Sequence, residues 1–264
     1  MSWRAEALAV WAVVVRNALM ASRNVFFFFE LLFWPIVGVV SIGFMTRFLD
    51  LRPAQSSFVL IGTIALSVVN VCQLEVAYAV LMDVWSKSVK HQFLAPIGVR
   101  HLTLGSWLVG IVRGLLVFVL VSALGAWAFG FRVLDPGVAA VAIFLFGCFV
   151  NAWIVGVFVC ALIMLFGTRA EAFAWASVNL VLMLAGIYYP VSVLPEGAAL
   201  VARAIPLTYF LDAYRAHFGF ATEFAAPVAT GLALSAAYAV AAHWSFHAAV
   251  AHARRTGLLL KMSE

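Results

Sequence analysis

Six apolar stretches, each close to or above the length needed to cross a lipid bilayer, dominate this sequence. They occupy residues 26–48, 58–82, 102–129, 138–166, 172–188 and 224–250. A bilayer core about 30 Å thick requires about 20 helical residues, and inside it only helices and closed barrels satisfy their own backbone groups. The chain is 66% hydrophobic and 10% charged, whereas soluble domains carry about 25% charge. The sequence therefore predicts an all-α integral membrane protein with six transmembrane helices and a single membrane domain.

Residues 189–218, which follow the fifth apolar stretch, differ from a simple spanning helix. Three prolines divide them: Pro190, Pro195 and Pro206. The two helical pieces between these breaks, 196–204 and 207–218, are too short to cross a bilayer at 1.5 Å per residue. Because many side chains here are apolar, a solvated loop with two surface helices is the weaker interpretation. The pattern favours a broken, partly re-entrant element between spans five and six.

The N-terminal residues, 1–24, have the pattern of an amphipathic helix that lies on the membrane surface. Trp11 falls on an apolar face, and Arg16 and Arg23 fall on the opposite, polar face, which is typical of an interfacial helix. A solubilising leader with no fixed orientation is the alternative. Because Glu6 and Arg16 interrupt the apolar run, we expect no signal-peptide cleavage.

The distribution of Lys and Arg predicts the orientation. If the N-terminus is cytoplasmic, ten of the 16 basic residues lie inside and five outside, with Arg113 within a span. The positive-inside rule then places both termini and the segment 83–101 in the cytoplasm, and the broken element on the outer face. Segment 83–101 alternates apolar and charged residues, and apolar side chains on an exposed loop indicate a partner surface. The alternative is a solvated loop.

Glu75 and Arg113 are ionisable residues that fall well inside predicted spans. They lie about 10 Å and 16 Å from the cytoplasmic ends of sequential helices. An unpaired arginine at the middle of a membrane costs about 2.5–3.5 kcal/mol or more. We therefore hypothesise a structural ion pair near a translocation path.

Other site chemistry is not indicated. The spacing of His243 and His247 could bind a metal, but no carboxylate or cysteine lies nearby, so no metal site is predicted. The three cysteines sit singly in apolar runs and indicate no disulfide framework. The sequence has no catalytic motif and no phosphate-binding GxxxxGK[ST] loop. We therefore expect a transport protein without a cofactor of its own and without a nucleic-acid partner.

The order of these elements resembles the membrane subunit (permease) of type-2 ABC exporters across essentially the whole chain. The residues that carry the resemblance are Phe26-Phe-Phe-Phe-Glu30, Trp34-Pro35, Leu94-Ala95-Pro96, Tyr189-Pro190-Val191, Leu194-Pro195, Ile205-Pro206-Leu207-Thr208 and Asp212-Ala213-Tyr214-Arg215. Ile205 stands where Asn is common in that family, a mild departure. Each motif is weak, but their order and spacing are fairly specific.

The resemblance implies a half-transporter of the cytoplasmic (inner) membrane that forms a homodimer among membrane lipids and binds two copies of a cytosolic ABC ATPase. ATP and magnesium would act on that partner. The segment 83–101 would contain the coupling helix, with these contact residues: Asp83, Trp85, Lys87, Lys90, Phe93, Leu94 and Pro96. The outward element would form a gate from these residues: Tyr188, Tyr189, Pro190, Pro195, Pro206, Tyr209, Asp212, Tyr214 and Arg215.

The expected substrate is a glycan, a glycolipid or another amphipathic molecule moved outward. A drug or lipid exporter of the same class is the alternative. A passive channel or a membrane-embedded lipid enzyme is a more distant one.

Overall fold

The structure, a computed structural model, describes residues 3–94 and 97–261, without the side chains of residues 26, 90, 93, 94, 168, 182, 260 and 261. The predicted Pro96 contact therefore lies outside the described residues, as do the side chains of Lys90, Phe93 and Leu94. Within the described ranges the chain is helical and contains no strand.

The helices of the described ranges follow one another in this order: α1 (Trp3–Arg23), α2 (Val25–Phe48), α3 (Pro53–Trp85), α4 (Val89–Leu94), α5 (Val99–Phe129), α6 (Val138–Phe166), α7 (Glu171–Leu184), α8 (Glu196–Ala204), α9 (Pro206–Ala216), α10 (Pro227–Arg255) and α11 (Leu258–Lys261). Short 3-10 turns precede α7 at Gly167–Ala170 and α8 at Val191–Val193.

Five of the described helices, α1, α2, α3, α5 and α6, are long and apolar enough to cross a membrane. Four of them coincide with the first four predicted spans, so the prediction of an all-α membrane protein is confirmed. α7 is only 14 residues long, about 21 Å, because the chain turns at Gly186, which has φ +69°. α10 has 29 residues, but it is not among the helices that are apolar enough to count as a candidate span. The count of six spans remains a prediction.

The long helix α3, which has 33 residues, is the centre of the bundle. It packs against α2, α5, α6 and α7. Small residues allow the backbones to approach closely. A Cβ atom at Gly156 on α6 would lie 2.7 Å from Cβ of Val76, and one at Gly110 on α5 would lie 3.0 Å from Sγ of Cys72. Close contact at glycine is a common way for membrane helices to associate, since apolar burial gives no driving force in lipid.

The two ends of α3 organise the rest of the fold. We call them the Asp83 end and the Phe58 end, and 25 helical residues separate them by about 37 Å. α4 and the part of α1 from Glu6 to Arg16 lie at the Asp83 end, where α5 and α7 begin. The turn after α7 and the broken element lie at the Phe58 end. Asp83 and Trp85, which the sequence placed in a connecting segment, belong to the last turn of α3.

The polar face of α1 points in a direction that the sequence did not predict. Leu8 and Trp11 are exposed on the outside of the bundle, as expected for an apolar face. Asn17, however, is buried and donates hydrogen bonds to Glu75 (3.3 Å) and to Ser106 (2.8 Å). This part of the polar face therefore binds protein and not water, because α3 and α5 supply the acceptors.

Candidate functional site

A buried cluster of charges joins α2, α3 and α5. The structure places the Arg113 guanidinium in direct contact with the Glu75 carboxylate, as the sequence hypothesis proposed. The other terminal nitrogen of Arg113 donates to the backbone carbonyl of Phe27 at 3.0 Å, and the guanidinium lies 5.1 Å from the centre of the Phe27 ring. Both charged side chains are almost fully buried. A buried arginine is thus held by one carboxylate, one carbonyl and one aromatic ring.

A second carboxylate, Glu30, belongs to the same cluster. Its Oε2 lies 3.9 Å from Arg113, and its Oε1 accepts a hydrogen bond from the Tyr78 hydroxyl at 3.0 Å. Glu30 is buried. Sequence reasoning missed it because it stands only a few residues inside its apolar stretch, where a carboxylate is easily placed at the membrane surface. Two carboxylates therefore face one guanidinium.

Glu30 also lines a cavity of about 600 Å³ between α2, α3 and α7. The wall combines two tryptophans with amide and hydroxyl groups, at the following positions: Trp34, Thr63, Ser67, Asn70, Trp175 and Asn179. Thr63, Ser67 and Asn70 lie in the middle of α3, a helix that could cross a membrane. The volume is within the range of small-molecule sites, about 300–1,000 Å³. Sequence reasoning missed this cavity because its polar residues come from three different apolar runs, and nothing in the sequence shows that the three helices bring them together.

At the Asp83 end, Arg16 connects the N-terminal helix to the segment predicted to couple to a partner. Its guanidinium forms an ion pair with Asp83 (3.2 Å) and donates to the side chain of Gln92 on α4 (2.7 Å). Ser88, in the turn before α4, donates to the other Asp83 oxygen at 3.1 Å. One carboxylate at the end of α3 therefore positions both α1 and the turn that leads into α4.

Two further contacts hold the same end of the bundle together. Glu6 on α1 lies 2.5 Å from Arg100 and 2.6 Å from His101 at the start of α5. Trp85 donates its indole N–H to Glu171, at the start of α7, at 3.2 Å. The end of α3 therefore contacts α1 and α7 directly, and α1 in turn contacts the start of α5. A displacement of α4 or of the end of α3 would act on all three helices through these contacts.

At the Phe58 end, Arg215 binds the turn that follows α7. Its terminal nitrogens donate to the carbonyls of Gly186 (2.6 Å), Ile187 (2.6 Å) and Phe58 (3.1 Å), and its guanidinium lies 3.4 Å from the Phe58 ring centre. Burial lowers the pKa of Arg215 to about 9, so the side chain is still charged at neutral pH. It therefore ties α9, α3 and the turn after α7 into one unit.

Carboxylates fix the connection between α9 and α10. Asp212 accepts hydrogen bonds from the backbone N–H groups of Glu223 (3.0 Å) and Phe224 (3.3 Å). Glu223 in turn accepts from the N–H and the hydroxyl of Ser192, both at 3.1 Å. The loop before α10 is thereby bound to the 3-10 turn after Pro190.

Three of the four tyrosines proposed as gate residues donate their hydroxyl groups to backbone carbonyls of the same chain. Tyr214 is buried, stacks on Phe144 and donates to the carbonyl of Val133, and burial raises its pKa. Tyr209 is buried and donates to the carbonyl of Arg203 at 2.8 Å, and Tyr189 donates to that of Met183. In this conformation the three hydroxyls stabilise the broken element.

The prolines have the positions that the sequence indicated. Pro195 is the N-cap of α8 and Pro206 is the first residue of α9, and Pro190 precedes the 3-10 turn. Phe210, one turn into α9, packs against Gly147 of α6, where a Cβ atom would lie 2.2 Å from its ring. Because Gly147 lies nine residues inside α6, α9 sits within the bundle and not on top of it.

Comparison with known families matches residues 8–218 to the ABC-2 type transporter model. The chain belongs to the ABC-2 type transporter family. The matched residues include the charge cluster, the cavity, α4 and the broken element. A comparison with curated proteins found no match. ABC-2 membrane domains form a transport family and work with a cytosolic ATPase subunit, so this chain is the multi-pass transmembrane subunit of an ABC-2 type transporter.

Proposed function

We propose that this ABC-2 subunit exports a glycan, a glycolipid or another amphipathic molecule across the cytoplasmic membrane, driven by a separate ATPase. The observation that carries the proposal is the cavity between α2, α3 and α7. Tryptophan faces suit sugar rings and lipid chains alike, since an aromatic side chain offers a large apolar surface, and amide groups such as Asn70 can bind hydroxyl groups. A drug or lipid of similar shape is the alternative substrate.

A second copy of the chain completes the path in this proposal. Asn179 and Trp175 on α7 and Trp34 on α2 line the cavity, yet all three are exposed at the surface of the single chain. A polar side chain at mid-membrane depth is costly against lipid. Packing of α2 and α7 against the same helices of a partner would cover these groups and enclose the cavity.

The Asp83 end is the cytoplasmic side in this proposal, because the Lys and Arg distribution places it there. α4 is then the coupling helix, and the ATPase dimer contacts it together with Trp85. Closure of the ATPase would move α4. The contact of Gln92 on α4 with Arg16 would pass this rigid-body shift to α1, and the Arg16–Asp83 contact would pass it on to α3. The broken element at the Phe58 end is then the outer gate.

The test is co-expression of the tagged chain with an ABC ATPase subunit from the same genome. We expect the two to copurify, and we expect ATP hydrolysis to be faster in the complex than in the ATPase alone. Trp85→Ala, which removes an exposed indole at the Asp83 end, should reduce this stimulation severalfold. Trp127→Ala is the matched control, because Trp127 is exposed on the far end of α5. Absence of a complex, or equal stimulation by both variants, would refute the coupling role.

A further inference from the structure

The wall of the cavity carries one ionisable side chain among the described residues. Glu30 is ionisable, and no other side chain among the described residues that line the cavity is. Arg113, the cation beside it, is in direct contact with Glu75. Its distance of 3.9 Å to Glu30 is beyond hydrogen-bond length. The cluster therefore has one more carboxylate than guanidinium, and the surplus carboxylate is the one that faces the cavity.

Aromatic rings lie around this carboxylate. The ring of Tyr78, whose hydroxyl donates to Glu30, lies 6.2 Å from Trp175 and 4.9 Å from Phe27, edge to face in both cases. Trp34 follows Glu30 by one helical turn on α2 and lines the same cavity. Aromatic faces beside a carboxylate attract organic cations, because the ring quadrupole and the negative charge act in the same direction.

We propose that Glu30 binds the cationic group of an amphipathic substrate, an amine or a quaternary ammonium, while Trp34 and Trp175 contact its apolar part. This inference rests on the proposed export function and narrows its substrate class. A bound cation balances the second carboxylate, which is costly to keep charged at this depth. Asn70 and Asn179 are neutral, so they leave the cavity negative, and an anionic group is repelled.

The test uses two probes of the same shape and opposite charge, tetraphenylphosphonium and tetraphenylborate. Equilibrium binding of each is measured on the purified full-length chain in detergent micelles. We expect Glu30→Gln to weaken tetraphenylphosphonium binding by about ten- to a hundredfold, which is the range for loss of a partly desolvated charge pair. Tetraphenylborate binding should stay the same or become tighter. Glu196→Gln, which removes an exposed carboxylate on α8, is the matched control and should change neither.

Equal tetraphenylphosphonium affinity of the Glu30→Gln and Glu196→Gln variants overturns the inference. If Glu30→Gln does not fold, Trp175→Leu replaces it: weaker tetraphenylphosphonium binding supports the site, and unchanged affinity overturns it. This measurement needs no ATPase. Loss of the cation site with an intact, stimulated ATPase complex therefore refutes this inference alone. Cation binding without any ATPase complex instead refutes the proposed export function.

Discussion

The Arg113 cluster offers the sharpest test of how the bundle is held together. In Arg113→Ala, Glu75 loses its ion pair, Glu30 loses its nearby cation, and the carbonyl of Phe27 loses a donor. Removing one partner of a buried ion pair costs about 3–5 kcal/mol, because the other charge stays buried without compensation. We therefore expect the free energy of unfolding to fall by about 3–5 kcal/mol.

The double variant separates this explanation from a simple loss of packing. Glu75→Gln removes the charge that Arg113→Ala leaves uncompensated. We expect Arg113→Ala/Glu75→Gln to be about 2 kcal/mol more stable than Arg113→Ala alone, since the buried carboxylate accounts for a large part of the loss.

The assay is reversible unfolding of the purified protein, in which SDS is titrated into mild-detergent micelles and helix content is followed by circular dichroism. Arg132→Ala is the control, because Arg132 is exposed in the loop after α5, and a surface substitution changes stability by no more than about 0.5 kcal/mol. If the losses from Arg113→Ala and Glu75→Gln simply add, the two side chains are independent and the reasoning is wrong.

The remaining predictions concern the Phe58 end. Arg215→Lys should lower the thermal unfolding midpoint, because a lysine cannot donate to the carbonyls of Gly186 and Ile187 in the same fork geometry. Each buried carbonyl that loses its donor costs about 1–3 kcal/mol. An unchanged midpoint would contradict this. Gly62→Ala should destabilise by about 1–3 kcal/mol, because a Cβ atom there would lie 1.9 Å from the Ile187 carbonyl oxygen. Gly38→Ala is its control, since the nearest atom to a Cβ there is a Thr63 methyl carbon at 4.0 Å. Equal losses of stability in the two variants would rule out the close contact as the cause.

The arginines at the two ends of the bundle make different contacts, and this difference affects how easily each end can rearrange. At the Asp83 end, pairs such as Glu6–Arg100 join side chain to side chain and are partly exposed. At the Phe58 end, Arg215 binds backbone carbonyls and is buried. Partly exposed ion pairs are weak, about 0–1 kcal/mol, so they can rearrange more easily. We expect the Asp83 end to be the more adaptable of the two.

Local pattern determined the membrane class, the bounds of α8 and the place of the broken element. Long apolar runs require helices in lipid, and a proline without an N–H group interrupts a helix wherever it falls inside one. Both are properties of neighbouring residues, so they can be read without a partner. The pairing of Glu75 with Arg113 could be hypothesised in the same way, since helical rise alone gives their similar depth.

Only the tertiary structure decided which side chains meet across helices. Whether Asn17 faced water or protein, and whether Glu30 joined the charge cluster, depended on how each helix is rotated about its axis. The Tyr214 hydroxyl reaches a carbonyl 81 residues earlier, a distance in sequence that no local pattern spans. The cavity, too, is lined by polar residues from three helices, and it exists only because the packing of α2, α3 and α7 brings these residues together.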